Sequence, residues 1–405
     1  MIKKNRAASL KFIFATIFLD ALGIGLLIPV FPDVIRRFSS NPEFVNQYFG
    51  FFISIYALMQ FLASPVLGSL SDRYGRRIVL LNSLLFAGLD YILMAFAPTL
   101  SILFVGRILS GLTGASMTVA SSYMADISDD SNRSANFGMI GAAFGLGFII
   151  GPALGGVIGE LGPQAPFLAA AFLNLLNFAF GYFVLPESLP EKHRRQIVIS
   201  KLNPFSSLLK IIKPSSISIL VWVYALINLG GQSHPSIWTL YTQYKFGWSS
   251  FQVGLSLSFV GLVIAFSQGY LTRIIIPKLG EAKSILFGNF FYMLGFGLFA
   301  FATQGWMMYA IMAIFSLSGV AIPAIQSMIS KKIPPHEQGE LQGSLISIAS
   351  LTAIVGPIIY TNLFAHFTRA TTPIHFPGIS YFAASMICLL AIILLLGKKP
   401  WTQHI

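Results

Sequence analysis

Long runs of apolar residues, separated by short polar breaks, repeat along the whole chain. Twelve of these runs reach about 20 residues, the length that an α-helix needs to cross the hydrocarbon core of a bilayer. Strands of a membrane barrel would alternate apolar and polar positions, and these runs do not, so the pattern predicts helices. The predicted limits are 11–32, 47–69, 78–97, 100–124, 135–160, 165–185, 217–240, 250–272, 282–303, 305–329, 340–365 and 378–397.

The order of the spans indicates a duplicated architecture. The longest connection, 186–216, separates an N-terminal half, 1–185, from a C-terminal half, 217–405, and is expected to be a cytoplasmic linker. Gly138 lies thirteen residues before the pair Gly151-Pro152, and the pair Gly356-Pro357 follows a glycine at the same spacing in the second half. The chain is therefore predicted to be an all-α membrane protein with twelve transmembrane helices in two pseudo-symmetric six-helix bundles, the architecture of alternating-access transporters.

Composition excludes several classes of protein. The 405 residues are 55% hydrophobic and only 10% charged, against roughly 25% charged in soluble domains, which rules out a soluble enzyme. The net charge of +12 comes from residues in the short breaks, so the expected partner is the membrane surface and not nucleic acid. Cys388 is the single cysteine. Because metal-ligand spacing, phosphate loops and catalytic triads are not found in the sequence, no metal, cofactor or enzymatic activity is expected.

The distribution of basic residues predicts the orientation. With the N-terminus inside, most of the 26 lysines and arginines lie on the cytoplasmic side, as positively charged loops do. Arg36, Arg37, Lys245 and Arg369 lie on the opposite side, and Arg107 is inside a span. Both termini are therefore predicted to be cytoplasmic. The first span exceeds the length of a signal segment and carries an acid, so it is expected to be retained.

Three charges fall within the predicted hydrocarbon layer: Asp20, Asp90 and Arg107. From the helical rise, the two acids lie roughly 14 and 18 Å from the cytoplasmic edge, and Arg107 lies roughly 10 Å from the other edge. Charges at this depth are costly and are usually functional. We interpret the acids as proton or substrate sites balanced by the arginine; a buried ion pair that only stabilises the bundle is the alternative.

The cytoplasmic turn between spans two and three reads GSLSDRYGRR (68–77). Glycines permit a tight turn, an acid can meet a helix N-terminus or an arginine, and the arginines add positive charge. This segment resembles the signature loop of the major facilitator superfamily. The resemblance implies a conformational latch between the two halves. The residues assigned to it are Gly68, Asp72, Arg73, Gly75, Arg76, Arg77 and Asp126.

Span five is rich in glycine, and four glycines recur every four residues from Gly147 to Gly159. Such a stripe favours close helix packing, and a proline adds a kink. The stretch GAAFGLGFIIGPALGG (141–156) resembles the motif of the drug/proton antiporter branch, which implies export. The positions assigned to this antiporter helix are Gly141, Gly145, Gly151, Pro152, Gly155 and Gly156. GRILSGLTG (106–114) is similar to the branch's arginine-glycine motif and implies a part for Arg107 in proton coupling.

Nearly the whole chain resembles the tetracycline/proton antiporters, closely in the first half and more loosely in the second. The segments that carry this resemblance include LDALGIGLLIPVFP (19–32), LDYILMAF (89–96) and YKFGWSSFQVGLSLS (244–258). It implies transport roles for the positions Asp20, Gln60, Asp72, Arg76, Asp90 and Asp126. It also implies a bacterial inner-membrane protein that moves a small molecule and protons, expected to be a monomer.

The chain departs from those antiporters where substrate choice is expected. They carry a histidine in helix eight and an aspartate in helix nine, whereas Gln268 and Asn289 stand in those spans here, and the interior of the C-terminal spans contains no acid. Amides and aromatic rings bind without requiring a charged ligand, which argues against magnesium-tetracycline as the best substrate. The residues assigned to the substrate cavity are Gln60, Asn228, Gln232, His234, Trp238, Gln268, Asn289, Tyr292 and Gln326.

Two interpretations of His234 are open, a second proton site or a simple hydrogen-bonding group. The sequence as a whole predicts a proton-coupled exporter of small amphipathic organic molecules. A transporter of a specific metabolite such as a siderophore is the alternative, and a non-transporting membrane sensor is a weaker one, because the linker is too short for a sizeable soluble domain.

Overall fold

A computed structural model describes residues 2–114, 116–129, 132–194, 196, 203–204, 217–334 and 337–398. All regular secondary structure within these ranges is helical, which confirms the all-α prediction. Most of the predicted linker lies outside the described residues.

Eight α-helices form the first part of the chain. Two predicted spans differ in detail: the first is followed by a separate short helix, α2, and the fourth is divided into α5 and α6 around Gly114. The helices are α1 (Ile2–Leu27), α2 (Phe31–Arg36), α3 (Pro42–Tyr74), α4 (Arg76–Ala95), α5 (Leu100–Thr113), α6 (Ser116–Asp126), α7 (Arg133–Gly159) and α8 (Ala165–Val184).

Eight more helices follow, and three of the predicted C-terminal spans contain an interruption. A π-helical turn, Ser267–Leu271, joins α11 to α12, and a 3₁₀ turn, Ser316–Val320, joins α13 to α14. The helices are α9 (Ser218–Gly231), α10 (Ser233–Phe246), α11 (Ser250–Phe266), α12 (Thr272–Phe301), α13 (Gly305–Phe315), α14 (Ala321–Ser330), α15 (Gln338–Phe367) and α16 (Ile379–Lys398).

Ten helical stretches among the described residues are long and apolar enough to cross a membrane. One of them, Ser250–Phe301, covers the eighth and ninth predicted spans together. The seventh predicted span is divided into α9 and α10, which have 14 residues each. The chain is thus a multi-pass helical membrane protein, and the number of twelve crossings stays a prediction.

The chain forms two compact units. The first comprises Met1–Ser40, Ile55–Pro204 and Ser249–Ser258, and the second comprises Asn41–Ser54, Phe205–Trp248 and Phe259–Ile405. Each unit has its own buried apolar core. In the first, Phe12, Leu84 and Tyr123 belong to the core, and in the second Tyr224 and Ile325 do.

Helix α8 shows how an outer helix meets the lipid. Phe172, Leu176, Phe180 and Phe183 are exposed along one of its sides, and they recur at the three- and four-residue spacing of a helical face. The opposite side is buried and carries Asn177, whose amide donates to Thr16 Oγ1 at 3.0 Å. An apolar outer face with a polar residue turned inward is the pattern expected of a helix in a bilayer.

The glycine stripe of α7 packs along α1. A Cβ atom at Gly151 would lie 2.7 Å from the carbonyl oxygen of Leu22 and 2.9 Å from the Cα of Gly25, and Gly155 faces the backbone of Leu26. Backbone atoms therefore occupy the space of a side chain, which confirms that the stripe allows close packing. Pro152 and Gly156 instead face Gly254 and Ser250 of the first unit, while Gly141 and Gly145 face open space.

We expect Gly151→Ala to destabilise the first unit and Gly145→Ala to leave it stable. The added methyl group at position 151 must displace the backbone of α1, and overpacking of this kind costs about 1–3 kcal/mol. Position 145 has room, and alanine favours a helix over glycine by roughly 0.5–1 kcal/mol. Thermal unfolding midpoints of the two purified variants in detergent test this pair, and equal midpoints would contradict it.

The end of α6 and the end of α14 carry charge pairs of opposite polarity. In the first unit, Arg76 follows Gly75 and pairs with Asp126 at 3.1 Å. In the second, Glu281 follows Gly280 and pairs with Lys331 at 2.8 Å. Gly75 and Gly280 both have positive φ, 104° and 74°, a conformation that favours glycine. The repeated backbone feature is thus retained while the two charges are exchanged.

Candidate functional site

Two acids line one cavity of the first unit, which we call the acid cavity. It has a volume of about 100 Å³, and its walls include Asp20, Asp90, Ser110 and Asn174. Asp90 is 4% exposed and accepts a short hydrogen bond from Ser110 Oγ on one carboxylate oxygen. Its other oxygen, Oδ1, has no hydrogen-bond partner among the described residues and can take up a proton. The structure therefore brings together the two predicted proton-coupling acids.

The glycines of the arginine-glycine motif bring α5 close to α3 and α4. A Cβ at Gly106 would lie 3.2 Å from Asp90 Oδ1, and one at Gly111 would lie 2.6 Å from the carbonyl oxygen of Tyr56. Gln60 donates from Nε2 to the carbonyl oxygen of Gly114 at 3.0 Å, where α5 ends. Both Tyr56 and Gln60 line the acid cavity. Gln60 therefore holds the break between α5 and α6 beside the acids.

Arg107 lies against two aromatic rings. Its guanidinium is 4.7 Å from the ring centre of Tyr56 and 5.2 Å from that of Phe31. Such cation–π contacts stabilise a charge away from water. Its charge also interacts with that of Asp90, although Arg107 is not among the residues that line the acid cavity. Its predicted role in proton coupling stays a prediction.

Arg76 is the centre of the predicted latch. It is 8% exposed, and its guanidinium lies 2.6 Å from Asp72, 3.1 Å from Asp126 and 2.6 Å from Ser71 Oγ. Ser188 Oγ also donates to Asp126, at 2.9 Å. The end of α3, the start of α4 and the end of α6 are thereby tied together. These contacts lie within the first unit, and the predicted action of the latch between the two halves stays a prediction.

The backbone of the latch binds a further acid, Glu187. Its carboxylate accepts from the N–H groups of Arg76 at 2.9 Å and Arg77 at 3.2 Å, which are at the start of α4. An acid at this position stabilises a helix N-terminus. Gly75 has no room for a Cβ because Glu187 lies against it.

The remaining latch residues have simpler surroundings. Arg77 donates to the carbonyl oxygen of Tyr182 at 2.7 Å. Arg73 is exposed and lies over the ring of Tyr74, and Gly68 is in ordinary contact with Thr118. The predicted latch residues thus lie around the turn between α3 and α4.

We expect Asp72→Asn to slow transport while leaving the stability and the affinity for substrate nearly unchanged. The side chain of Asp72 is 42% exposed, and an exposed ion pair contributes about 0–1 kcal/mol, so the fold should persist. Asp72 is not among the residues lining the acid cavity. Transport rates in vesicles, thermal unfolding and equilibrium binding measured side by side test this. A loss confined to binding would contradict it.

The second unit contains a cavity of about 190 Å³ that we call the histidine cavity, after His234 in its wall. Gln268 and Tyr292, also predicted to contact substrate, line it too. The other C-terminal candidates are not among its lining residues: Asn228 donates to Tyr224 O at 2.8 Å, Asn289 to Cys388 O at 3.0 Å, and Gln326 to Tyr224 Oη at 3.3 Å.

Two further candidates lie near this cavity without lining it. Trp238 is 1% exposed and packs on His234, with ring centres 4.4 Å apart. Gln232 lies between α9 and α10, and its side chain occupies the space beside Gly356. Their assignment to a substrate cavity stays a prediction.

Several residues of these sites were not singled out as site residues from the sequence, among them Tyr56, Ser110, Asn174 and Glu187. Ser110 is within the recognised motif of α5, four residues after Gly106, so its helical face was a usable signal. Glu187 is 111 residues from its partner Arg76, and local pattern does not reveal such a contact. Its position directly after a predicted span was the available signal.

The fold and the acid cavity define the class of this protein, a polytopic α-helical transporter with ionisable groups in its membrane core. Comparison with known proteins gives the family. The model of the Major Facilitator Superfamily matches residues 13–357 and 276–403, and the chain belongs to this superfamily.

Characterised relatives and solved structures agree with that assignment. The chain is 42% identical to the class C tetracycline resistance protein of Escherichia coli over 90% of this chain and 91% of that protein. It is 38% identical to the class B protein of the same organism over 89% of both. Its fold resembles an inward-facing bacterial homolog of the human lysosomal transporter Spinster, with a TM-score of 0.78 at 14% identity over 98% of both chains.

A second solved structure supports the same fold. The human organic anion transporter matches with a TM-score of 0.69 at 22% identity, over 96% of this chain and 99% of that one. The predicted major facilitator fold is thereby confirmed, and so is the resemblance to the tetracycline antiporters.

Proposed function

We propose that this protein exports small amphipathic organic molecules in exchange for protons by alternating access. The observation that supports this most directly is the acid cavity, which both Asp20 and Asp90 line. Asp90 has one carboxylate oxygen bound by Ser110 and one without a hydrogen-bond partner in the described part of the chain. A carboxylate in such a place can bind a proton in one conformation of the transporter and release it in another.

The substrate class follows from the relatives. Proteins up to 42% identical over about nine tenths of the chain are named tetracycline resistance proteins, which supports a tetracycline-like, amphipathic aromatic molecule as cargo. Both cavities have aromatic walls, with Tyr56 and Tyr91 in the acid cavity and Tyr292 and Phe315 in the histidine cavity. Aromatic walls suit such molecules.

Transport in vesicles tests this function. Purified protein is reconstituted, a proton gradient is imposed across the vesicle membrane, and the uptake of labelled tetracycline is followed. We expect uptake against its concentration gradient that stops when a protonophore collapses the proton gradient. The proposal would be overturned if the rate of uptake did not depend on the proton gradient. It would also be overturned if neither tetracycline nor any other amphipathic drug were transported.

We propose further that the protein lies in a bacterial inner membrane as a monomer, with both termini in the cytoplasm. The basic residues of the loops support this orientation. Cys388 is buried and is the single cysteine, so a cysteine introduced at an exposed position can be labelled selectively. We expect Thr371→Cys to react with an impermeant maleimide in intact cells and Lys332→Cys to react only after permeabilisation. The reverse result would contradict the orientation.

A further inference from the structure

Three interrupted helical segments meet around the histidine cavity. At the first, Pro235 cannot donate a backbone hydrogen bond to the carbonyl of Gly231, and both residues line the cavity. The second is the π-helical turn Ser267–Leu271, and the third is the 3₁₀ turn Ser316–Val320. Each contributes residues to the cavity wall.

Irregular backbone at membrane depth has a specific meaning. In lipid it is tolerated only where it is buried in protein or lines a water-filled cavity, and π-helical turns occur frequently at functional sites. The π turn and the 3₁₀ turn contact each other, and Gly319 has no room for a Cβ because Ser267 lies against it. The interruptions of the helices in this unit thus coincide with the wall of the histidine cavity.

Two residues that line this cavity carry polar atoms without a hydrogen-bond partner among the described residues. Both ring nitrogens of His234 are buried without a hydrogen bond, and so is the hydroxyl of Ser267. A buried polar atom without a partner costs free energy. Neutral imidazole has one donor and one acceptor nitrogen, so a ligand that both accepts and donates hydrogen bonds can satisfy this ring.

Aromatic rings enclose the histidine. Phe315 lies nearly parallel to its ring with 6.0 Å between centres, Trp238 lies at 4.4 Å, and Tyr292 meets Phe315 edge-on. The described residues that line the cavity include no Asp, Glu, Lys or Arg. A charged ligand would therefore be desolvated there without a counter-charge, whereas a flat uncharged ligand would meet ring faces and edges.

We propose that the histidine cavity is a binding site for an uncharged aromatic molecule that carries both a hydrogen-bond donor and an acceptor, such as a phenol with an amide substituent; that such a molecule is also cargo rests on the function proposed above. His234 and Ser267 are its hydrogen-bonding residues, and the π turn shapes the site. The volume of about 190 Å³ suits one substituted ring, since a cavity of roughly 150 Å³ holds benzene. Binding here needs no proton gradient, so its failure and a failure of proton-driven export are distinguishable.

Calorimetric titration of the full-length protein in detergent tests the site with 4-hydroxybenzamide as the probe. We expect saturable binding that His234→Phe weakens at least tenfold and Ser267→Ala weakens several-fold. His234→Gln, which keeps a donor and an acceptor, should weaken it less than His234→Phe. The matched control is His366→Phe, because His366 is exposed and not among the residues lining the cavity. This variant should bind 4-hydroxybenzamide with the same affinity as the unaltered protein.

Comparison ligands separate the proposed chemistry from general partitioning. Anisole, benzoate and benzylammonium, which lack the donor or carry a charge, should bind at least tenfold more weakly than 4-hydroxybenzamide. If His234→Phe does not fold, the affinities of His234→Gln and Ser267→Ala for 4-hydroxybenzamide test the proposal instead. The proposal is overturned if the probe does not bind, if these substitutions leave its affinity unchanged, or if benzoate or benzylammonium binds equally well.

Discussion

Replacing Asp90 by asparagine should abolish proton-driven transport, and Asp20→Asn should do the same. Asparagine has nearly the shape of aspartate and can still accept the hydrogen bond from Ser110 Oγ, but it cannot take up a proton. Uptake of labelled substrate into vesicles with an imposed proton gradient should therefore fall to the level of protein-free vesicles. Exchange of substrate between equal concentrations, which needs no net proton movement, should persist in at least one of the variants.

The control for these variants is Glu160→Gln. Glu160 is an exposed acid just after α7 and is not among the residues lining the acid cavity, so it loses the same charge without touching the proposed proton site. All three variants should retain the unfolding midpoint of the unaltered protein within a few degrees. Undiminished gradient-driven flux in Asp20→Asn and Asp90→Asn, or an equal loss in Glu160→Gln, would remove the acid cavity from the mechanism.

Magnesium-tetracycline should bind this protein at least about tenfold more weakly than it binds the class C tetracycline resistance protein. The histidine cavity offers His234, Gln268 and Tyr292 but no acid among its described lining residues. Desolvating a cation without a counter-charge costs several kcal/mol, whereas a neutral hydrogen bond returns about 1 kcal/mol. Equilibrium binding and the resistance of cells expressing either protein at matched levels measure the difference.

A substitution can test the electrostatic reason directly. Gln268 lines the histidine cavity, so Gln268→Glu adds a negative charge to the cavity wall and should strengthen binding of the magnesium chelate. The matched control is Gln268→Met, which is similar in length and uncharged and should not strengthen binding. If the unaltered protein binds the chelate as tightly as the class C protein does, the argument from missing acids is wrong.

Span length and the spacing of small residues were predictable because they depend on the chain itself. A helix in lipid needs about 20 apolar residues, and a glycine every four residues lies on one face, so the helices and the close packing of α7 were predictable from the sequence. The position of Asp90 within a helical span was predictable for the same reason. That α1 is the partner of the glycine stripe is known only from the structure.

Other features depend on contacts that are distant in sequence. Asn289 is polar and within a span, which suggested a substrate ligand, but its amide donates to the carbonyl oxygen of Cys388. The π turn Ser267–Leu271 is also not visible in hydropathy, because an average of side-chain apolarity does not show which backbone hydrogen bonds a helix makes. Which polar residue faces a cavity and which meets a neighbouring helix is decided by packing between helices, and a single sequence does not contain that information.

The exchanged charges of the two units have a consequence for folding. A chain built from two similar halves risks pairing a helix of one half with the corresponding neighbour from the other, a common error of repeat proteins. If α12 took the place of α4, Glu281 would meet Asp126, and the converse exchange would bring Arg76 to Lys331. Both mistaken pairs are repulsive, whereas the native pairs are attractive. The inverted polarity therefore favours the native pairing of these helices over the exchanged one.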